Sequence, residues 1–459
     1  MRLKKRIFGA ITVCTVSAAI VFGNICPVQV WATETATAGN ETGVPAGEQP
    51  EESREGTSAA VPPAPADPSV VTTNGIAGWP QAMDIAEETG ILMDASSGTV
   101  LFNKSMDERM YPASTTKIMT ALLALENSSL DEQVTFTETG VKDAYPGSSN
   151  IGMQVGEVLT MEQCLYAMML KSANEVTTQV AEYVGGSVEN FVNMMNQKAA
   201  DLGCTGTHFN NANGLPDDSH YTTAHDLALI GQAAIQNETF RKILGTVVYT
   251  IEPTNKNLKA RTFDNHHAMI HEGDWYYEGC LGGKTGYTDA AQSTLVTFAE
   301  RNNLLLVCVL MKGDGTQIVK DTKTVLDYGF DNFKVLEFTA KGEVIQGGQG
   351  IIPAGMEESE LEVLEDVQQD KVLTTYMCSE YPVGSVTVTR ESYDQVKVQE
   401  EQEDLEKEQQ EEQKRIQKEQ NKKKEHTQNT MKLIILVLCG LIVFTVLLVV
   451  IRLILNRKK

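Results

Sequence analysis

Positive charge is scarce in this chain. Against 61 aspartates and glutamates stand only 38 lysines and arginines, leaving a formal net charge of −23. That balance excludes the basic face a nucleic-acid partner requires. Cysteines are few where they would matter: Cys164, Cys204, Cys280, Cys308 and Cys378 fall in the part read below as globular, and an odd number gives no disulfide framework. Most lie in apolar stretches such as Leu305-Leu306-Val307-Cys308-Val309-Leu310, where a thiol serves as a small core residue. Zinc-type Cys/His spacing is missing; His266-His267 with His271 is the nearest approach, so no metal is expected. Large apolar residues are almost absent from residues 33–78, which are rich in Ala, Pro, Thr, Gly and Glu. Such a stretch cannot bury enough surface to offset its ordering entropy and reads as a disordered linker.

Two runs lack charge altogether. Ile7 to about Phe22 follows Arg2, Lys4, Lys5 and Arg6 and precedes Val30-Trp31-Ala32, a small-residue cleavage site, so residues 1–32 read as a secretory signal peptide. Leu433 to Ile451 is about long enough to cross a hydrocarbon core as a helix, which places a transmembrane segment at 432–455 and a cytoplasmic tail at 456–459. Lys422, Lys423, Lys424 and Lys432 lie on one side and Arg452, Arg457, Lys458 and Lys459 on the other, so basic residues alone do not orient it. The signal peptide does. It puts the bulk of the chain outside a cell membrane crossed once. Residues 398–431 are nearly all Glu, Gln, Lys and Arg, with Leu405 and Ile416 as the only strongly apolar members after Val398. No heptad seam is possible there, and pairs such as Glu403 with Lys407 suit a solvated single helix, a stalk.

Residues 79–333 are long enough for one large core, and 334–397 for a small β-rich module. Gly90–Met93 and Thr99–Phe102 flank a turn and read as a hairpin. Helical spacing follows over Ser114 to about Glu126, Met161 to about Leu170, Glu175–Val184 and Val188–Leu202. Strands return at Gly282–Thr288, Ser293–Ala299 and Leu304–Met311, before a helix over about Val319–Tyr328. Strands at both ends with helices between predict an α+β fold, an antiparallel sheet covered by helices.

Three short strings are placed on that frame: Ser114-Thr115-Thr116-Lys117, Ser172-Ala173-Asn174 and Lys284-Thr285-Gly286. As S-x-x-K, S-x-N and K-T-G in this order, they are the parts of a serine enzyme that forms an acyl intermediate. Ser114 and Lys117 lie one turn apart on one helix face, so the ammonium reaches the hydroxyl. A lysine in a partly desolvated site can lose its proton at a lowered pKa and act as base to a serine nucleophile. Ser172 and Asn174 sit where one apolar helix stops and the next begins, aimed into a cleft, with Ser172 to relay a proton and Asn174 to hold a substrate carbonyl. Lys284 and Thr285, in an edge-strand setting, offer charge and hydroxyl to a carboxylate while an extended peptide pairs alongside. The backbone amides of Ser114 and Tyr287 form the natural oxyanion pair.

At these residues the chain resembles the D-alanyl-D-alanine carboxypeptidases, the low-molecular-weight penicillin-binding proteins of the bacterial envelope. The resemblance extends through Tyr111-Pro112-Ala113-Ser114, Phe209-Asn210-Asn211-Ala212-Asn213-Gly214-Leu215, Thr223-Ala224-His225-Asp226-Leu227-Ala228 and Leu326-Asp327-Tyr328-Gly329-Phe330, covering about Ile85 to Phe333. It implies the fold shared by serine β-lactamases and DD-peptidases, with the module after Lys334 similar to the family's small β domain. It makes Ser114 the acylated nucleophile, Lys117 its base, Ser172 and Asn174 the second catalytic element, and Lys284, Thr285, Gly286 and Tyr287 the substrate-binding strand. The implied reaction removes the terminal D-alanine of peptidoglycan stem pentapeptides without a cofactor, and β-lactams acylate the same serine. A serine β-lactamase shares the motifs, but the best-known class needs a glutamate between the second and third, and here none lies between Glu189 and Glu238. A non-catalytic wall-binding homologue need not keep Ser114, Lys117 and Lys284 together. Departures from the family pattern are Ala173 for Gly, Glu175 for Asp, Gln292 for Gly, and Ile318 where a basic residue that helps hold the substrate carboxylate is expected. The transmembrane anchor on a charged stalk also differs from the amphipathic tail typical of relatives.

Overall fold

The computed structural model describes residues 70–456; the segment expected to be a signal peptide, most of the expected linker and the last three residues of the expected cytoplasmic tail lie outside the described residues. In chain order the catalytic region contains β1 (Thr89–Asp94), β2 (Val100–Lys104), a 3₁₀ turn at Ala113–Thr116, α1 (Lys117–Asn127), β3 (Gln133–Thr135), α2 (Glu138–Val141), β4 (Val158–Thr160), α3 (Met161–Leu170), α4 (Asn174–Gly185), α5 (Val188–Asp201), α6 (Ala224–Ile235), α7 (Glu238–Leu244), β5 (Val248–Ile251), β6 (Arg261–Asp264), β7 (Cys280–Thr288), β8 (Gln292–Arg301), β9 (Leu304–Gly313) and α8 (Gln317–Asn332). The small module follows with β10 (Phe333–Glu337), β11 (Val344–Pro353), β12 (Glu362–Val367), β13 (Lys371–Cys378) and β14 (Tyr381–Thr389), and α9 (Arg390–Asn456) ends the described chain.

The main sheet is antiparallel with strand order β2-β1-β9-β8-β7, so β7, which carries Lys284-Thr285-Gly286, is an edge strand. Its central strands are apolar on both faces because both are covered. Ile91, Met93, Val296 and Val307 join Ile118, Leu122 and Leu165 in the core under the helical layer. Leu92, Leu306 and Leu310 pack with Val325 and Leu326 of α8 on the opposite face. This alternation along β1 and β9 is the period-two signature of strands whose two faces meet different layers. The expected α+β architecture is what the chain adopts.

The second core continues into the small module through Phe338, Ile352, Val372 and Val388. There a five-stranded antiparallel sheet has the order β10-β11-β14-β13-β12. Trp79 ties the two parts together: its indole donates to Leu101 O at 3.0 Å, and its ring packs against Tyr381 and Phe333. The linker expected to reach Gly78 ends sooner. Val71 bridges to Lys104, residues Thr72–Gly75 form a 3₁₀ turn, and Thr73 is buried, because the last apolar residues before Trp79 are already close enough to dock on β2. The free cysteines fill the core roles anticipated for them, with Cys164, Cys308 and Cys378 buried.

Stalk and apolar segment form one helix. No proline follows Pro382, and α9 runs unbroken from Arg390. Its first turns belong to the small module: Tyr393 is buried and donates to Glu365, which Lys397 also faces at 3.6 Å. Beyond Glu400 the helix is exposed, and it is the one helix among the described residues long and apolar enough to cross a membrane.

Candidate active site

Ser114 sits in the 3₁₀ turn that runs directly into α1 at Lys117, so the pair lies three residues apart on one helical face, as expected. The turn begins at Ala113, which is held at a positive φ of 49° and leads the chain sharply into the serine. Two glycines make room for that turn. A Cβ on Gly214, itself at φ +83°, would lie 1.8 Å from Ala113 O, and one on Gly286 would lie 3.0 Å from both Pro112 O and Ser114 N. Gly286 therefore lets β7 lie directly against the serine turn, which brings the Ser114 amide beside the Gly286-Tyr287 segment.

Lys117 is fully buried, and its three neighbours define its chemistry. Nζ lies 3.0 Å from Ser114 Oγ, 2.8 Å from Asn174 Oδ1 and 2.6 Å from Asn213 O. Burial holds its pKa well below the ordinary lysine value; the charge of Lys284 pushes the same way, while Glu175 and Asp143 oppose. A neutral amine has two N–H groups and one lone pair. The two oxygens of Asn174 and Asn213 take the hydrogens, which leaves the lone pair for the serine hydroxyl.

The second motif is where the helix signals put it, between α3 and α4. Ser172 occupies a left-handed conformation (φ 62°), is 4 % exposed, and its Oγ has no hydrogen-bond partner among the described residues. Asn174 donates from Nδ2 to Ser148 Oγ at 3.0 Å, and its backbone amide donates to Ser149 O at 2.8 Å. Glu175 is buried and accepts from Ile151 N at 2.7 Å, so the residue after the asparagine anchors the loop that forms one side of the site. Burial raises its pKa, opposed by backbone amides of that same loop.

One cleft of about 440 Å³ joins Ser114, Ser149, Ser172, Thr285, Gly286 and Tyr287. Lys284 is placed differently from the expectation that it meets a ligand directly. It is 1 % exposed, does not line the cleft, and donates to Thr285 O at 2.7 Å, because its side chain follows that of Val296 into the interior while Thr285 faces outward. Burial brings its pKa down to about 7. Tyr287 is largely exposed at the cleft rim.

Several contributors carried no chemical signal in the sequence. Asn213 acts through its backbone carbonyl, and its side chain donates to Asp143 at 3.2 Å and Thr178 at 3.1 Å. His220 Nδ1 accepts from Asn210 N at 3.0 Å, so Nε2 carries the proton and donates to Thr116 Oγ1 at 2.9 Å. Burial keeps that imidazole neutral, at about 4. The Phe209–Leu215 string, which the family resemblance already singled out, is thereby fixed beneath the serine turn. Two of the three neighbouring histidines have side-chain partners: His267 Nε2 meets Thr297 Oγ1 at 2.9 Å, and His271 Nε2 donates to Asn265 O at 2.7 Å.

Residues 77–315 match the model of the D-alanyl-D-alanine carboxypeptidase family of serine peptidases. This chain belongs to that family. It is 32 % identical over 281 residues to the D-alanyl-D-alanine carboxypeptidase DacF of Bacillus subtilis, covering 58 % of this chain and 69 % of that one. It is 35 % identical over 252 residues to the carboxypeptidase DacB2 of Mycobacterium tuberculosis, covering 53 % and 82 %. Among solved structures, the Streptomyces K15 DD-transpeptidase superposes with a TM-score of 0.52 at 29 % identity, over 55 % of this chain and all of that one. A Mycobacterium tuberculosis D-alanyl-D-alanine carboxypeptidase superposes at 0.51 with 32 % identity, over 56 % and 95 %. The protein is a serine-type D-alanyl-D-alanine carboxypeptidase acting on peptidoglycan, with the penicillin-binding fold that β-lactams acylate.

Proposed function

We propose that Ser114 is the nucleophile, Lys117 its base and Ser172 the proton relay of this carboxypeptidase. Ser114 Oγ attacks the carbonyl carbon of the penultimate D-alanine as its proton passes to the Lys117 amine. The oxyanion forms between the amides of Ser114 and Tyr287. The C–N bond then breaks, the departing D-alanine nitrogen takes the proton through Ser172, and an ester remains on Ser114. Water cleaves that ester as Lys117 accepts its proton, returning it to the serine oxygen. Asn174 holds the substrate and the lysine together. Thr285 meets the terminal carboxylate, with Lys284 behind it supplying field rather than contact, and Gly286 and Tyr287 pair with the extended peptide.

The observation that carries this reading is the lysine amine 3.0 Å from the serine with its hydrogens committed to Asn174 and Asn213. Mass spectrometry of a stem pentapeptide incubated with the protein tests it. Loss of one alanine is expected, and Ser114→Ala abolishes both that loss and covalent penicillin labelling. Labelling that persists in Ser114→Ala moves the nucleophile elsewhere. We further place the catalytic domain outside the cytoplasmic membrane, anchored once by the apolar end of α9. The opposite orientation would be revealed by resistance of the domain to protease added to intact spheroplasts.

A further inference from the structure

Thr285 and Leu295 are directly opposed across β7 and β8. Directly opposed residues send their side chains to the same face, with Cβ atoms about 5 Å apart. A group held by the Thr285 hydroxyl therefore has Leu295 beside it. The cleft wall continues from there through Met269, Ile318 and Val319, and no lysine or arginine lines it. Leu295 and Ile318 are each 3 % exposed and Met269 is fully buried, so this wall is a fixed apolar surface continuous with the α8 core rather than a set of mobile side chains. His266 and His267 complete the rim as neutral imidazoles, both held far below ordinary values, by burial first and then by the charge of Lys284.

We propose that this wall is a side-chain pocket for the leaving residue, with Ile318 as its specificity-determining member, and that it accepts D-residues with aliphatic side chains longer than alanine. The inference rests on the assignment of Thr285 to the terminal carboxylate. The cleft of about 440 Å³ runs from Ser114 and Ser172 past Thr285 to this wall, so the wall lies on the leaving-residue side of the reacting groups. A longer aliphatic chain turned toward Leu295, Met269 and Ile318 gains apolar contact, and the polar groups that line the cleft beside them, Thr294 and His267, carry no charge. A cationic side chain at position 318 would instead occupy the space and favour the smallest leaving residue, which binds by its carboxylate.

The test is a series of stem pentapeptides ending in D-alanine, D-leucine or D-methionine, assayed with the full-length protein in detergent. Values of kcat/KM for the longer residues within tenfold of that for D-alanine are expected. Discrimination of more than tenfold against both overturns the proposal. In Ile318→Arg, with penicillin acylation as the check of an intact site, the D-leucine to D-alanine ratio falls at least tenfold, the range that one or two methylenes command in an apolar pocket. Val319→Phe, at a partly exposed position that tolerates volume, shifts the ratio in the same direction if Ile318→Arg does not fold. An unchanged ratio in the folded variant also overturns it. Failure to release D-alanine from the D-alanine-terminated stem is a separate result: it removes the carboxypeptidase assignment of the site, and the pocket with it.

Discussion

Glu87 offers a stability test that does not touch the chemistry. Its side chain is fully buried, and neither carboxyl oxygen has a hydrogen-bond partner among the described residues. Gly313 lies so close that an added Cβ would sit 2.6 Å from Glu87 Cγ. Burial, opposed first by the Glu87 backbone amide and last by Lys104 and reinforced by the Asp321 carboxylate, raises its pKa from 4.5 to about 7. Below pH 4.5 both folded and unfolded chains hold the proton. Between 4.5 and about 7 the unfolded chain releases it and the folded chain does not, so stability falls as pH rises, and above 7 the loss is complete. At 1.36 kcal/mol per unit the loss amounts to roughly 3 kcal/mol. Glu87→Gln keeps the shape and removes the titration. Thermal unfolding of the two proteins, followed between pH 5 and pH 8, should show a steeper loss in the wild type, with the variant gaining relative stability at the alkaline end. Equal slopes would refute the reasoning, because they would mean that Glu87 is ionised or solvated in the folded protein.

Three further outcomes follow from the site and the anchor. Penicillin acylation of Ser114 should rise with pH through a pKa well below the ordinary lysine value of 10.5, as Lys117 loses its proton, while KM for a stem peptide rises as Lys284 loses its charge near pH 7; a rate flat from neutral to alkaline pH removes Lys117 as base. Gly214→Ala places a methyl 1.8 Å from Ala113 O at a left-handed position, so stopped-flow acylation should slow at least tenfold with a stability loss of about 1–2 kcal/mol or more. A chain ending after Glu400 should be soluble in the absence of detergent and as active on soluble pentapeptide as the full chain, since it keeps the Tyr393, Lys397 and Glu400 contacts to the small module; a large drop in kcat would show that the remaining helix supports the site.

Much of the site could be read from side chains because the chemistry is carried by side chains. Ser114, Ser172 and Thr285 occupy one cleft, with Lys117 and Asn174 behind it, and the edge position of β7 follows from the glycines and turn that flank Lys284-Thr285-Gly286. Illegible parts act through the backbone or through position in three dimensions. The Asn213 carbonyl on Lys117 has no sequence signature, because every residue has a carbonyl. The sharp entry into the serine turn depends on Ala113 in a left-handed conformation, which propensity assigns to glycine or asparagine instead. Lys284 reads as a charge offered directly to a ligand carboxylate, and only the strand register shows that it shares the inward face with Val296. The division of α9 into stalk and span was a change of composition, and composition does not break a helix that lacks proline and keeps its backbone bonds.

Both lysines of the three motifs, Lys117 and Lys284, are buried. A lone buried amine would shed its proton at a modest cost, but two such amines repel, and the repulsion lowers the proton affinity of Lys117 further. Lys284 escapes by standing behind the edge strand with a backbone oxygen as its partner, whereas Lys117 has two oxygens and a hydroxyl around it. The two lysines thus differ in their surroundings more than in their burial. One is held well below the ordinary lysine value, as the base role proposed for it at Ser114 requires, and the other, titrating at about 7, still contributes positive potential to the cleft at neutral pH. Glu175 and Asp143 limit how far the first can fall. Removing either carboxylate should therefore make the base weaker rather than stronger, since a lysine that is too acidic no longer takes a proton from a serine hydroxyl.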